Sequence, residues 1–341
     1  MAPEPADYQR EDCAGDRLNT IGNMLKRFEN GKWVECSSLL EALGLIKITT
    51  GMSKKDSAEA DRNSCVVSIV GAGGKTTCLR RLQLECKKLG ISAAAGTTTH
   101  IQYERNESFL DRPDMDAARE ILKKTGTLWM GEPVSDWKCK ALPDLFYREL
   151  LVDGIWLLLE ADGAREKPVK APREGEPVLL PETGLVLCVY GLDAVGQPIK
   201  EVCCRVEQVC AILEKQETAR LTAADLAKLA ISLQGGRKGV QPGMRYAVLF
   251  NKADTPEREA AAWEAARQIR TLEKKLINAK HFKETFKRNP TGEVEKSLAK
   301  KQFSDREMRE KSGSAEWGES VIFTASHLMP PWNPQITGEA K

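Results

Sequence analysis

The residues with the clearest capacity for chemistry form a glycine-rich run that ends in a lysine and two threonines. The run consists of Gly71, Ala72, Gly73, Gly74, Lys75, Thr76 and Thr77. Glycines let the backbone turn tightly and point several N–H groups at one oxyanion, and a following helix adds the positive end of its dipole. We expect Lys75 to reach the β- and γ-phosphates of a nucleotide and Thr76 to ligate Mg²⁺. A strand-to-helix turn with an incidental lysine is the alternative.

This glycine-rich run is shorter than the common phosphate-loop pattern. That pattern has a glycine six residues before the lysine, a position that Ile69 occupies here. The spacing Gly-x-x-Gly-Lys-Thr-Thr also occurs in ATP-dependent amide ligases of the cell-wall type. The loop therefore indicates a nucleotide hydrolase, and it leaves open a ligase or transferase that activates an acceptor with ATP.

A pair of carboxylates follows a purely apolar run. Leu157, Leu158 and Leu159 lead directly into Glu160, and Asp162 lies two residues further on. In phosphate-loop enzymes, a carboxylate at the tip of a neighbouring buried strand holds the metal ion directly or through water. Residues two apart in a strand share a face, so both carboxylates are expected near Mg²⁺, one as ligand and one orienting a water. We assign the ligand role to Asp162. Ordinary turn carboxylates are the alternative.

A threonine run with a histidine follows another short apolar stretch. Thr98 is a candidate metal ligand, because small hydroxyl side chains beside a phosphate loop can ligate the metal or sense a γ-phosphate. Threonine is also common in strands for its β-propensity alone. His100 is a candidate proton donor or substrate-polarising group, with a structural hydrogen-bonded histidine as the alternative.

The arrangement Asn-Lys-x-Asp, typical of guanine recognition, occurs late in the chain as Asn251, Lys252 and Asp254. A carboxylate at Asp254 would accept hydrogen bonds from N1–H and N2–H₂ of guanine, and the stem of Lys252 would lie over the purine. Adenine lacks both donors. Ala325 belongs to a Phe-Thr-Ala-Ser stretch similar to the element whose backbone N–H contacts the guanine O6. Adenine is the alternative base, since Asn251 and Lys252 would also serve merely to cap a strand.

The elements that must position these residues are short apolar strands alternating with helical segments. The expected strands lie at 65–70, 92–95, 155–159, 184–190, 246–250 and 321–324. This alternation predicts an α/β fold of the phosphate-loop NTPase type, with a mostly parallel sheet and helices on both faces.

The composition along the chain predicts four segments. Residues 1–37 form a partly disordered N-terminal extension, 38–270 a nucleotide-binding domain, 271–320 a basic insertion, and 321–341 the last core strand and a tail. The stretch 271–311 carries 12 Lys and Arg against 7 Asp and Glu. It is expected to be a solvated helical arm or a disordered loop, which docks an acidic partner or simply remains solvated.

The overall composition excludes several classes of protein. The chain has 341 residues, 41% of them apolar, and a formal net charge of +2, which fits a globular protein rather than a disordered or globally basic nucleic-acid-binding one. No apolar run approaches the ~18 residues that span a membrane. The N-terminus lacks the apolar region of a secretory signal, so we expect a cytoplasmic protein whose ten cysteines are reduced, mostly structural thiols.

Taken together, these motifs resemble the YqeC family, whose members are described as selenium cofactor biosynthesis proteins associated with selenium-dependent molybdenum hydroxylases. The matching stretches are 38–45 (SLLEALGL), 70–77 (VGAGGKTT), 97–101 (TTTHI), 160–163 (EADG), 170–172 (KAP), 176–177 (EP), 191–194 (GLDA), 221–226 (LTAADL) and 251–254 (NKAD). The resemblance implies a nucleotide-binding accessory protein that acts in maturation of such a hydroxylase or its cofactor, and the motifs themselves indicate GTP or ATP with Mg²⁺. A nucleotide-bound chaperone without hydrolysis stays open. The N-terminal extension and the basic insertion depart from the family.

Overall fold

A ten-stranded sheet forms the centre of the computed structural model, which describes residues 25–48, 58–60, 65–103, 106–288 and 321–325. The strands are β1 (Leu25–Glu29), β2 (Lys32–Cys36), β3 (Ile46–Ile48), β4 (Ala58–Ala60), β5 (Val66–Gly71), β6 (Ala93–Thr97), β7 (His100–Gln102), β8 (Phe109–Leu110), β9 (Leu128–Met130), β10 (Glu132–Ser135), β11 (Lys138–Lys140), β12 (Trp156–Glu160), β13 (Val169–Lys170), β14 (Leu185–Gly191), β15 (Cys203–Cys204), β16 (Arg245–Asn251) and β17 (Val321–Ala325). The helices are α1 (Leu39–Ala42), α2 (Lys75–Lys88), α3 (Met115–Thr125), α4 (Asp144–Val152), α5 (Ile199–Val202), α6 (Val206–Leu213), α7 (Ala223–Ile231) and α8 (Pro256–Arg288).

The strand order of the central sheet is β2-β1-β17-β16-β14-β5-β12-β6-β9-β8. All pairings from β17 to β8 are parallel, whereas the β1–β17 and β1–β2 pairings at one edge are antiparallel. The carboxyl ends of the parallel strands therefore meet at one edge of the sheet, where open α/β sheets bind ligands. The predicted α/β fold with a mostly parallel sheet is confirmed.

Both faces of the sheet are covered, as the side chains of β14 illustrate. Cys188 and Tyr190 pack in a hydrophobic cluster with α7 and α8, whereas Leu187 and Val189 pack in another with α1 and α2. Alternate residues of a strand point to opposite faces, so a strand between two helical layers is apolar throughout. A third cluster places α3 and α4 against β9 and β12.

Two of the predicted segments, 1–37 and 271–320, include residues of elements in the described fold. Residues 25–36, expected to belong to the N-terminal extension, form the β1–β2 hairpin, which pairs with β17 and buries Leu25 and Phe28. In the other segment, α8 continues through residue 271 to Arg288. Three parts of the predicted segments lie outside the described residues: 1–24 of the extension, 289–320 of the basic insertion and 326–341 of the tail.

Three small sheets accompany the central one: β10-β11-β7, β13-β15 and β3-β4. In the first of these, β7 follows closely after the carboxyl end of β6. In the second, β13 belongs to the connection between β12 and β14, whereas β15 comes after β14. Within the described ranges, no helix is both long and apolar enough to cross a membrane.

Candidate functional site

The glycine-rich loop joins β5 to α2 at the carboxyl edge of the sheet. Gly73 and Gly74 have φ angles of +82° and +136°, which L-residues with a side chain rarely adopt. A Cβ on Gly73 would lie 2.7 Å from the Pro168 carbonyl oxygen, and one on Gly74 would clash with the Asn251 amide. For the N–H groups of Gly73, Gly74 and Lys75, no hydrogen bond to a described residue is found. The loop thus presents its backbone donors at the start of a helix, the arrangement that binds anions.

Lys75 folds back over this loop. Its Nζ donates a hydrogen bond to the Gly71 carbonyl at 2.8 Å and lies 3.3 Å from Asp162 Oδ1 and 3.5 Å from Glu160 Oε1. The side chain is only 4% exposed. Burial by itself would lower the pKa of Lys75, but the two carboxylates outweigh it and raise the pKa above its ordinary value. Lys75 is therefore a buried cation held by two anions.

The two predicted carboxylates approach the loop from the neighbouring strand. Glu160 is the last residue of β12, which pairs with β5, and its Oε2 accepts a hydrogen bond from Thr76 Oγ1 at 3.2 Å. Asp162 Oδ2 accepts a hydrogen bond from the Gly71 N–H at 3.1 Å. Burial raises the pKa of Glu160, although Lys75 opposes this shift. Lys75, Thr76, Glu160 and Asp162, predicted separately, thus form one cluster, which we call the metal side.

The donor atoms of the metal side fit a magnesium ion. Thr76, Glu160 and Asp162 offer the hard oxygen ligands that Mg²⁺ prefers. Asp162 Oδ1 is buried and receives no hydrogen bond from the described residues, and the Lys75 ammonium lies 3.3 Å from it. No group of three or more His, Cys, Asp and Glu able to hold a metal occurs in the described part of the chain. Mg²⁺ typically takes one or two carboxylates and completes its shell with phosphates and water, which matches this set.

Thr98 and His100 do not join the metal side. The Thr98 hydroxyl donates instead to the Val178 carbonyl at 2.7 Å, and it is Thr97 whose hydroxyl donates to the Glu160 carbonyl at 2.9 Å. His100 is exposed at the start of β7, opposite Lys140 in the three-stranded sheet. Among the described residues, no hydrogen bond or ion pair links the His100 side chain to the cluster. The tertiary arrangement therefore gives no support to Thr98 as a metal ligand or to His100 as a proton donor.

The predicted base-reading residues lie on the other side of the loop, at the carboxyl ends of β16 and β17. We call Asn251, Lys252, Asp254 and Ala325 the base side. Asn251 Nδ2 donates to the Gly73 carbonyl at 2.8 Å, and Asn251 is opposite Ala325 in the sheet. The Ala325 carbonyl accepts from the Ala253 N–H at 2.9 Å. The motif therefore contacts the glycine-rich loop directly, a connection that the spacing of the motif does not reveal.

Lys252 and Asp254 each lie near an ion partner on the base side. Lys252 Nζ donates to Asp193 Oδ2 at 2.6 Å, and Asp254 Oδ2 lies 3.6 Å from Arg258 Nη1. Asp193 follows β14, the strand between the loop and β16. The carboxylates that the sequence predicts for ligands are thus neutralised by cations in this structure, as on the metal side.

Lys170 is a further charged residue of the site. It lies in a segment that contains several prolines, where a lysine is ordinarily exposed to solvent. Instead, its side chain is fully buried, and Nζ lies 3.1 Å from Asp162 Oδ2 and 2.7 Å from Glu176 Oε2. The flanking Val169 and Ala171 are buried as well. An apolar residue on either side of a lysine was the one available signal of burial.

None of the cysteines in the described part of the chain belongs to the metal side. No disulfide is found among the described residues. Burial raises the pKa of Cys188 to about 12, and burial together with nearby Cys210 and Cys204 raises that of Cys203 to about 12. Because the thiolate is the reactive form, these two buried thiols are chemically inert at neutral pH.

Comparison with known proteins places the metal side inside a recognised region. Residues 67–207 match the model of the family described as "YqeC protein". The chain is 28% identical over 203 residues to the uncharacterized protein YqeC of Escherichia coli (strain K12), across 57% of this chain and 78% of that protein. No solved structure matches. The matched region contains the glycine-rich loop and both carboxylates, whereas Asn251 and Ala325 lie beyond it.

Proposed function

We propose that this chain, which is similar to the YqeC family over residues 67–207, is a Mg²⁺-dependent nucleotide-binding protein that hydrolyses GTP or ATP. The observation that carries the proposal is the order of strand ends along one edge of the sheet. The base side lies on β17 and β16, then comes β14, then the glycine-rich loop on β5, then the carboxylates on β12. Base, phosphates and metal ion of one nucleotide would meet these elements in that order.

The dimensions of the sheet support this assignment. Neighbouring strands lie about 4.8 Å apart, so β16 and β5 are separated by two spacings, about 10 Å. Asn251 bridges that interval by its hydrogen bond to the Gly73 carbonyl. A ribose would lie over the end of β14, which lets the base reach β16 while the phosphates reach the loop.

The residues of the metal side have distinct roles in the proposed reaction. The backbone N–H groups of the loop and the Lys75 ammonium would stabilise phosphoryl charge. Thr76 and Asp162 would hold Mg²⁺, which supplies further neutralisation of the phosphate oxygens when bound. Glu160, which accepts from Thr76 and has a raised pKa, would orient the attacking water.

Nucleotide titration tests the proposal. Fluorescent GTP and ATP analogues are titrated into the purified chain, each with Mg²⁺ and with EDTA. We expect Mg²⁺-dependent binding that Lys75→Ala abolishes, with Lys88→Ala as matched control because Lys88 is exposed at the far end of the same helix. Absence of binding by both nucleotides, or unchanged binding in Lys75→Ala, would refute the proposed site.

The same titration determines the preferred base. We propose guanine, since Asp254 matches the two donors of guanine that adenine lacks. Asp254→Ala should weaken GTP binding and leave ATP binding unchanged, whereas Asn251→Ala should weaken both, because it removes a hydrogen bond to the loop worth about 1 kcal/mol. Equal loss of both nucleotides in Asp254→Ala would contradict guanine recognition.

Turnover separates hydrolysis from the alternatives. Because the spacing of the short loop also occurs in ATP-dependent amide ligases, a ligase or transferase is the alternative. Such an enzyme would consume ATP only when an acceptor is present. A chaperone would bind nucleotide without turnover.

From the family resemblance, we propose an accessory role in maturation of a selenium-dependent molybdenum hydroxylase or its cofactor. Nucleotide-dependent co-purification with such a hydroxylase is the expected result, and equal recovery without nucleotide would contradict it.

A further inference from the structure

Lys170 is a buried cation, and the proposed reaction gives it no role. Its Nζ donates to the Gly163 carbonyl at 2.8 Å and to Glu176 Oε2 at 2.7 Å, and it lies 3.1 Å from Asp162 Oδ2. An ammonium has three N–H donors, and three oxygens surround this one. The side chain is wholly inaccessible to solvent, so Lys170 itself cannot contact a ligand.

Lys170 and Lys75 lie on opposite sides of the Asp162 carboxylate. Asp162 lies between the two ammonium groups, with Oδ1 facing Lys75 and Oδ2 facing Lys170. When Lys75 turns to a phosphate, the contacts that remain on Asp162 are those of Oδ2 with Lys170 and the Gly71 N–H. Lys170 thus holds the rear oxygen of the carboxylate whose front oxygen is available to a cation.

The segment 163–178, which we call the strap, carries Lys170 across the edge of the sheet. On one side, the Pro168 carbonyl accepts from the Gly191 N–H at 2.8 Å. On the other, the Val178 N–H donates to the Ala161 carbonyl at 3.0 Å, and the Val178 carbonyl accepts from Thr98. These contacts fix the strap at both ends beside the glycine-rich loop, and Lys170 lies between them.

We propose that Lys170 is the positioning residue that orients Asp162 toward the magnesium ion and connects the strap to the metal side. This inference rests on the proposed function, and it adds a residue that acts on the metal through Asp162 alone. Hydrogen-bonding partners that orient metal ligands commonly matter 10–100-fold for metal affinity. Loss of Lys170 should therefore weaken the contribution of Mg²⁺ and spare the contacts of the nucleotide with the loop.

The experiment measures the Mg²⁺ dependence of nucleotide binding in matched variants. Lys170→Met alone would leave Glu176 buried with a single partner, Arg173, so the test variant is Lys170→Met/Glu176→Gln. Glu176→Gln alone retains Lys170 beside Asp162. Lys167→Met is the control, because Lys167 lies on the same strap and donates to the Glu201 carbonyl. Each variant is titrated with Mg²⁺ at a fixed GTP or ATP analogue, and nucleotide affinity is also measured in EDTA.

In the double variant, we expect the Mg²⁺ concentration at half-saturation to rise about tenfold or more, with nucleotide affinity in EDTA unchanged. Both single variants should behave as wild type. Wild-type Mg²⁺ dependence in the double variant, or an equal loss with and without Mg²⁺, would overturn the positioning role alone. A double variant that is unfolded by circular dichroism would also overturn it, by showing a purely structural lysine. Failure of the wild type to bind either nucleotide would overturn the proposed function, and this inference with it.

Discussion

The two sides of the candidate site differ in how deeply their charged side chains are buried. On the metal side, Asp162 is 2% exposed and lies between two buried ammonium groups. On the base side, Lys252 and Asp254 are 42% and 26% exposed, and each lies near one ion partner. Breaking a buried ion pair costs about 3–5 kcal/mol, whereas an exposed pair contributes about 0–1 kcal/mol.

This difference indicates how the site would accept a ligand. The buried charges of the metal side connect the loop, β12 and the strap in one arrangement. If the proposed nucleotide binds, the exposed pairs of the base side can be exchanged for contacts with its base at small cost. Charge substitutions on the metal side should therefore lower stability more than those on the base side.

The largest expected effect is on stability, at Asp162. Asp162→Asn removes the anion between Lys75 and Lys170, so the free energy of unfolding should fall by about 3 kcal/mol or more, measured by urea denaturation. Asp116→Asn is the control, because Asp116 is 95% exposed in a pair with Arg119 on α3. A loss at Asp162 no larger than that at Asp116 would contradict the difference between the two sides.

A second effect concerns pH, at Glu160. Burial raises its pKa above the ordinary 4.5, so the folded protein retains a proton that the unfolded chain releases between pH 4.5 and the higher folded pKa. The stability contribution of Glu160 therefore falls as pH rises through this window. Glu160→Gln removes the titration, so its stability relative to wild type should increase with pH, by at most about 1.4 kcal/mol per pH unit.

Urea denaturation of wild type and Glu160→Gln at several pH values from 4.5 upward measures this change. Glu120→Gln, at an exposed position on α3, serves as the control for replacing a glutamate by glutamine. A relative stability of Glu160→Gln that stays constant or declines with pH would show that Glu160 is not held in a desolvated environment.

The smallest expected effect is on the base side, at Asp193. Asp193→Asn weakens the pair with Lys252, which is partly exposed, so the free energy of unfolding should change by less than about 1 kcal/mol. Because exposed pairs are screened by salt, the difference from wild type should vanish in high salt. A loss comparable to that of Asp162→Asn would show that the charged pairs of both sides contribute equally to stability, and would contradict the proposed difference between them.

Some of the site was predictable because its signals are local in the chain. The glycine-rich loop is a contiguous stretch whose positive φ angles require glycine, so its conformation follows from residue type. Glu160 and Asp162 follow an apolar strand, and the carboxyl ends of parallel strands meet at one edge. For these reasons, the predicted proximity of Lys75, Thr76, Glu160 and Asp162 agrees with the structure.

Other parts depend on contacts between residues far apart in sequence. Asn251 reaches the Gly73 carbonyl, and Lys252 reaches Asp193, because β16, β14 and β5 are neighbours in the sheet. The β1–β2 hairpin joins the sheet through β17, which comes from the opposite end of the chain. No spacing rule indicates these pairings, since strand order is set by how crossovers pack.

The sequence by itself determined the α/β class, the conformation of the glycine-rich loop and the acidic strand end, because residue type and hydrophobic periodicity act over a few neighbouring positions. Only the tertiary structure decided which charges are buried together. The strap places Lys170 against Asp162 and Glu176, while Thr98 donates to the Val178 carbonyl and His100 is exposed. Burial decides the strength of an ion pair, and burial depends on every element that packs around it.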